Sequence, residues 1–218
     1  MDIAFVLYPD MTALDLVGPY DVLGNAPGVT PHFVAATLDP VRCDAGLLIT
    51  PTTTFTDLHR ADVIVVPGGK PYGVLEEGTV AAWLREVHPT ATWTTSVCTG
   101  STLLAAAGVL DGKRATTHWA VRDLLASMGV EVSTDRVVRD GAVITGAGVS
   151  AGIDMALTLA GILWGDVVAQ SLQLAIEYDP EPPYDSGSVE KASPEVVDLI
   201  RGLMANDFSA DQNKAVKA

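Results

Sequence analysis

Short apolar runs recur along this chain, and they constrain its fold more than any other feature. Four of them have the length and the apolar or β-branched content of buried strands, namely Ile3–Tyr8, His32–Leu38, Asp62–Val66 and Thr90–Val97. Segments with helical spacing alternate with them. Parallel strands need crossover connections, which are usually helical. The pattern therefore predicts an α/β fold, a three-layer sandwich in which a mostly parallel sheet carries helices on both faces.

The second half of the chain adds a hairpin and several helices to this pattern. Arg136–Thr145 predicts two antiparallel strands joined by an Asp-Gly turn. Ala151–Trp164 is nearly all apolar and predicts a long helix, either deeply buried or shared between the core and a partner subunit. Asp166–Tyr178 predicts another helix, and Val196–Met204 a short one before a frayed end. We expect one domain over residues 1–184 and a partly helical C-terminal extension over residues 185–218.

Composition excludes several classes of protein. The 218 residues carry a formal net charge of −14, which disfavours nucleic acids and anionic membranes as partners because both require a basic surface. The chain shows no secretory signal and no apolar stretch long enough to span a bilayer, so a cytoplasmic protein is expected. Its two cysteines, Cys43 and Cys98, are too few for a disulfide framework or a structural zinc site.

Cys98 is the first candidate for chemistry. It stands between the strand that ends at Val97 and a helix predicted over Ser101–Gly108, with small Ser96 and Gly100 on either side. This is the pattern of a nucleophile elbow, with sulfur in place of the serine oxygen. Amides at the helix start are expected to lower the thiol pKa and to hold negative charge on a substrate. The alternative is a buried cysteine that only packs.

Two glycines and an aspartate are further candidates. Gly68 and Gly69 directly follow the run that ends at Val66, where a backbone without side chains can approach a ligand closely. Pro19 fits the first turn of a helix, which would place Asp15 in the turn just before it. Asp15 is then either a capping or turn residue or a partly buried carboxyl with a raised pKa, available for proton transfer.

Several motifs together resemble the DJ-1/PfpI superfamily, which is built on the class I glutamine amidotransferase-like, flavodoxin-like fold. The resemblance covers roughly residues 3–184. It rests on the segments Leu14–Tyr20, Val66–Gly69, Ser96–Ser101, Gly112–Trp119 and Ala151–Asp154. Within the superfamily, the combination is most similar to the isocyanide hydratases, and this similarity continues through Gln173–Tyr178 to Pro182–Gly187.

The resemblance implies roles for individual residues. Cys98 would be the nucleophile and Asp15 its general acid and base, with amides near Thr99 and Gly69 positioning the substrate. Gly68, His118 and Val149 would belong to the pocket. The implied substrate is an isocyanide, converted to an N-substituted formamide without metal or organic cofactor, and the implied assembly is a homodimer. The chain departs from the hydratase pattern at Ala147, where an unbroken glycine run is usual.

Two other functions remain open from the sequence. Similar domains occur fused to helix-turn-helix regulators, so a ligand sensor or a redox sensor is one alternative. A glyoxalase-like or hydrolase activity is the other. Thr99 stands directly after the cysteine, where some peptidase branches place a histidine, so a local Cys-His pair is not available.

Overall fold

The computed structural model describes residues 1–70 and 72–215. Their strands are β1 (Asp2–Val6), β2 (Thr30–Ala35), β3 (Val41–Arg42), β4 (Leu48–Ile49), β5 (Thr53–Thr54), β6 (Val63–Val66), β7 (Trp93–Val97), β8 (Arg114–Ala115), β9 (Glu131–Val132), β10 (Val137–Asp140) and β11 (Val143–Gly146). The helices are α1 (Ala13–Leu23), α2 (Tyr72–Glu77), α3 (Thr79–Val87), α4 (Gly100–Ala106), α5 (Arg122–Ser127), α6 (Ala151–Trp164), α7 (Asp166–Ala175) and α8 (Pro194–Ala215). Two 3₁₀ helices cover His88–Thr90 and Trp119–Val121.

Seven of these strands form the main sheet, in the order β10-β11-β7-β6-β1-β2-β5. All neighbouring pairs are parallel except β10 and β11, which form the expected antiparallel hairpin. The chain moves outward in one direction from β1 to β2 and in the other from β6 to β7. Right-handed crossovers then place α1 and α3 on opposite faces of the sheet. The predicted α/β sandwich is confirmed.

The central strands are buried on both faces, as their apolar runs predict. Every residue of β6 and β7 is buried, and so are the last four residues of β1. Because β1, β6 and β7 are parallel neighbours, their carboxyl ends lie at one edge of the sheet. The segments that follow them contain Asp15, Gly68 and Cys98. The fold therefore brings together candidates that are more than eighty residues apart in sequence.

Several boundaries differ from the sequence predictions. Helix α1 begins at Ala13 and contains Pro19, so Asp15 lies in its first turn and not in a turn before it. Proline has no N–H to donate to the carbonyl four residues earlier, yet the tertiary packing of this segment keeps it helical. Helix α6 has the predicted bounds, whereas α7 ends at Ala175, three residues early.

The chain divides into two compact units, the first over Met1–Ile176 and the second from Glu177 onward. The second unit contains α8, which has 22 residues and is much longer than the predicted helix over Val196–Met204. Part of the expected frayed end, residues 216–218, lies outside the described residues. The boundary expected at residues 184 and 185 stays a prediction.

Candidate active site

Four hydrogen bonds to its backbone hold Cys98 in the turn. Its N–H donates to the carbonyls of Gly146 (3.1 Å) and Ala147 (2.7 Å). Its carbonyl accepts from the hydroxyls of Thr117 (3.0 Å) and Ser101 (3.3 Å). These bonds fix Cys98 at φ 58°, a left-handed conformation that costs energy for a residue with a side chain. Such a conformation persists only where the surrounding contacts hold it in place. In this protein it determines the direction of the Cys98 thiol.

Asp15 lies beside this thiol with no exposed surface. Its Oδ2 accepts the N–H of Gly68 at 2.9 Å, whereas Oδ1 makes no hydrogen bond of ordinary geometry among the described residues. The pKa of this carboxyl is raised from 3.8 to about 7, chiefly by burial and to a smaller extent by the nearby charge of Asp44. The Gly68 amide and the Cys98 side chain oppose this rise by lowering the pKa. Asp15 can therefore both give and take a proton near neutral pH.

Cys98 is nearly as buried as Asp15, since it is only 5% exposed. Burial raises its pKa well above 9.0, and the Asp15 carboxylate raises it further because two adjacent negative charges repel. The backbone N–H groups of Thr99 and Val149 act on the sulfur in the opposite direction. The expectation of a lowered thiol pKa is wrong in this structure, because burial outweighs the two amides.

Gly68 and Gly69 lie close to neighbouring backbone and side-chain atoms, and the approach to a ligand that was expected of them stays a prediction. A Cβ on Gly68 would lie 2.5 Å from the backbone nitrogen of Thr99 and 2.8 Å from Oδ2 of Asp15, so only glycine fits. The N–H of Gly69 donates to Oγ1 of Thr99 at 2.8 Å, and that hydroxyl donates to the Gly69 carbonyl at 3.0 Å. The Gly69 amide therefore already has an acceptor. The role towards substrate expected of Gly69 stays a prediction, whereas the amides that act on the Cys98 sulfur are those of Thr99 and Val149.

His118 lies at the margin of this arrangement. Its Nδ1 accepts the N–H of Ala120 at 3.3 Å, so the imidazole caps the 3₁₀ helix that follows it. Burial lowers its pKa, as does the charge of Arg122, which keeps the ring neutral near pH 7. A Cβ on Gly148 would lie 3.0 Å from the ring, so His118 packs against the loop that carries Val149. These contacts give His118 a structural role, and its expected place in the pocket stays a prediction.

Two residues near the pair were missed by the sequence analysis. Tyr8 is buried, and its hydroxyl donates to the carbonyl of Pro67 at 2.9 Å. Burial raises its pKa, and the charges of Asp15 and Cys98 add to this effect, so Tyr8 lies within their electrostatic reach. Tyr8 is the last residue of the first apolar run and follows a parallel strand. Its position in the sequence could therefore have predicted that it lies near the site. Asp44 belongs to an irregular segment, so the sequence pattern could not predict its place near the site.

The described residues contain no cluster of three or more His, Cys, Asp or Glu side chains able to hold a metal ion. Both cysteines are free thiols. In the same part of the chain, no helix combines the length and hydropathy needed to cross a bilayer.

The fold and the site together define a class of α/β proteins. In this class, a buried cysteine and a buried aspartate lie at the carboxyl edge of the sheet. The chain belongs to the DJ-1/PfpI family, whose model matches residues 1–161. It is 51% identical to the isonitrile hydratase of Pseudomonas putida over 92% of this chain and 89% of that protein. It is 30% identical to the Parkinson disease protein 7 homolog of Danio rerio, over 73% and 88% of the two chains.

A solved structure supports the same placement. The crystal structure of a ThiJ/PfpI family protein from Pseudomonas syringae superimposes with a TM-score of 0.92 at 41% identity. The match covers 95% of this chain and 87% of that one. The similarity therefore extends well beyond the residues that the family model matches.

Proposed function

We propose that this protein hydrates isocyanides to N-substituted formamides, with Cys98 as nucleophile and Asp15 as the proton carrier. The observation that carries the proposal is the buried Cys98–Asp15 pair, in which each side chain alters the pKa of the other. The 51% identity to an isonitrile hydratase supports the choice of substrate. The turn between β7 and α4, with Cys98 at positive φ, is the nucleophile elbow in this proposal.

The first half of the reaction forms a covalent bond to sulfur. The thiol proton of Cys98 passes to Asp15 as the sulfur attacks the terminal carbon of R–N≡C, and Asp15 then delivers that proton to the same carbon. The product is a thioimidate, R–N=CH–S–Cys98. The amides of Thr99 and Val149 stabilise the developing negative charge on sulfur, which burial would otherwise penalise.

The second half consumes one water molecule. Asp15 takes a proton from water as the oxygen adds to the thioimidate carbon, and this proton ends on the substrate nitrogen. The C–S bond then breaks, the carbonyl forms and the hydroxyl proton returns to sulfur, which releases R–NH–CHO and the free thiol. The balance is one isocyanide and one water to one formamide, with no redox change. A carboxyl of pKa about 7 suits both half-reactions near neutral pH.

Two of the rival functions, the redox sensor and the Cys-His hydrolase, fit these observations less well. A thiol-based redox sensor needs an exposed thiolate, whereas burial holds the Cys98 pKa high and shields the sulfur from solvent. A Cys-His hydrolase needs an imidazole beside the sulfur, whereas the Nδ1 atom of His118 binds a backbone amide. The test is turnover of a small aliphatic isocyanide, followed as formamide by NMR. Absence of product with folded, reduced protein would overturn the proposal.

We also propose a cytoplasmic homodimer. Two free thiols are typical of a reducing compartment. Helices α6 and α7 expose the apolar side chains of Ile162, Val167 and Leu174, and an open groove of about 470 Å³ runs between the two helices. A second copy of the chain is the occupant that the resemblance implies. Sedimentation at micromolar concentration tests the dimer, and a monomer there would contradict it; cell fractionation tests the location.

A further inference from the structure

A second cavity opens at the carboxyl ends of β1 and β2, with a volume of about 300 Å³. Leu7 and Tyr8 line it just beyond β1, and Ala35 lines it at the end of β2. Its described lining includes neither Cys98 nor Asp15, and it shares only Tyr8 with the described surroundings of that pair. Ligands of α/β folds bind at this edge of the sheet, and the volume lies at the lower end for small-molecule sites.

The wall of this cavity is largely apolar. Val74 of α2 and Val80 of α3 contribute aliphatic surface, and Phe55 contributes an aromatic ring. The ring of Phe55 lies 5.3 Å from that of Trp83, so it is held in place from behind by an aromatic partner. Such a wall favours a compact hydrocarbon body, because burying apolar surface is the main source of affinity in small pockets.

Several main-chain donors of the lining are either absent or already bonded. Pro9 and Pro40 have no N–H to offer. The N–H groups of Leu7 and Phe55 already donate to main-chain carbonyls of β2, at 2.8 Å each. Two carboxylates, of Asp39 and Glu77, are exposed at this cavity. A ligand that brings hydrogen-bond donors is therefore better matched than one that brings acceptors.

The charged side chains of the lining also favour a ligand that donates hydrogen bonds. Arg42 is its basic residue, against the two acidic ones. Its guanidinium extends towards Gly46, where a Cβ would lie 3.1 Å from one of its terminal nitrogens. Since the chain as a whole carries a net charge of −14, the local potential favours a cation over an anion.

We propose that this cavity is a second binding site, specific for a primary amine with a compact apolar body of about ten heavy atoms. The hydrocarbon packs against Phe55, Val74 and Val80, and the ammonium group lies towards the carboxylates of Asp39 and Glu77. The proposal is independent of the chemistry at Cys98, because it requires no reaction.

The test uses three probes of matched shape on the full chain, 2-phenylethylamine, 2-phenylethanol and 3-phenylpropanoate, titrated by amide NMR. We expect saturable shifts at Leu7, Phe55 and Val80, with the amine binding most tightly and the carboxylate most weakly. Equal affinities for amine and carboxylate would overturn the proposal. So would the lack of saturation by the amine up to roughly 10 mM, a concentration above the affinity expected of so small a ligand.

Substitutions in the cavity lining test whether the amine binds there. Val74→Phe adds volume on α2 and should abolish amine binding, with circular dichroism as the check on folding. Glu77→Gln should weaken amine binding about two- to fivefold and leave the alcohol unchanged, because an exposed ion pair contributes little. Glu76→Gln is the matched control, an exposed glutamate one residue away that does not line the cavity. Equal losses in both glutamate variants would contradict the site, and this comparison holds even if Val74→Phe fails to fold.

Discussion

The backbone N–H of Gly68 lies 2.9 Å from Oδ2 of Asp15 and joins the segment after β6 to the first turn of α1. The same glycine approaches Thr99 so closely that a Cβ would lie 2.5 Å from its backbone nitrogen. Both neighbours of the Cys98 thiol therefore depend on a position without a side chain. The hydrogen bond lowers the pKa of a carboxyl that burial raises, so it tunes the group as well as placing it.

Gly68→Ala should disrupt this arrangement more than the fold. The added methyl group must displace Asp15 or Thr99, and misplacement of about 1 Å at a reacting centre costs roughly a hundredfold in rate. We expect kcat/KM for isocyanide hydration to fall by about that factor, measured as formamide production. Gly73→Ala is the matched control, since a Cβ there meets nothing within 4 Å. Similar rates in both variants would show that the approach of Gly68 is unimportant.

Cys98→Ala should abolish hydration while the protein stays folded, because the thioimidate cannot form without the sulfur. Cys43→Ala is the control, since Cys43 is the other free cysteine and is also buried. We expect that control to retain its activity and to lose only about 1 kcal/mol of stability. Mass spectrometry of wild-type protein quenched during turnover should detect the thioimidate adduct on Cys98. Hydration by a folded Cys98→Ala protein would remove Cys98 from the mechanism.

The sequence could predict where the site lies but not its electrostatics. Cys98 and the glycines were found because parallel strands place the residues that follow them at one edge of the sheet, whereas the role of Asp15 came from the family resemblance. The direction of the thiol pKa was not predictable, because it depends on how far Asp15 and Cys98 are buried together. The acceptor for the Gly69 amide was missed for a similar reason. It is the hydroxyl of Thr99, whose position depends on the turn at Cys98.

Asp15→Asn should separate proton transfer from the reactivity of the thiol. The amide cannot carry a proton, so kcat/KM should fall about 10²–10⁴-fold. Alkylation of Cys98 by iodoacetamide should persist and become faster at mildly alkaline pH, because the Asp15 charge raises the thiol pKa and is now absent. Asp21→Asn, an exposed change on the same helix, is the control. Loss of both hydration and alkylation would indicate a damaged site instead.

The same substitution should change the pH dependence of stability. The pKa of Asp15 is raised from 3.8 to about 7 on folding, so the stability gained from its proton is fully present below 3.8 and lost as pH rises through 7. That interval corresponds to at most about 4 kcal/mol. Asn carries no such penalty. In urea unfolding, the stability of Asp15→Asn relative to wild type should increase as the pH rises from about 4 to about 8. A difference that is constant with pH would contradict the raised pKa.

Tyr8→Phe should change the catalytic rate only indirectly, by altering the position of the segment that carries Gly68. Loss of the hydroxyl leaves the buried carbonyl of Pro67 without its donor, which costs about 1–3 kcal/mol and loosens the segment that carries Gly68. Because the Gly68 amide lowers the pKa of Asp15, a weaker bond should move the limb of the rate profile set by Asp15 to higher pH. The rate at its optimum should fall by no more than about tenfold. Tyr184→Phe, at a tyrosine 80% exposed, is the control for removing a hydroxyl. An unshifted profile in a destabilised Tyr8→Phe protein would reduce Tyr8 to a packing residue.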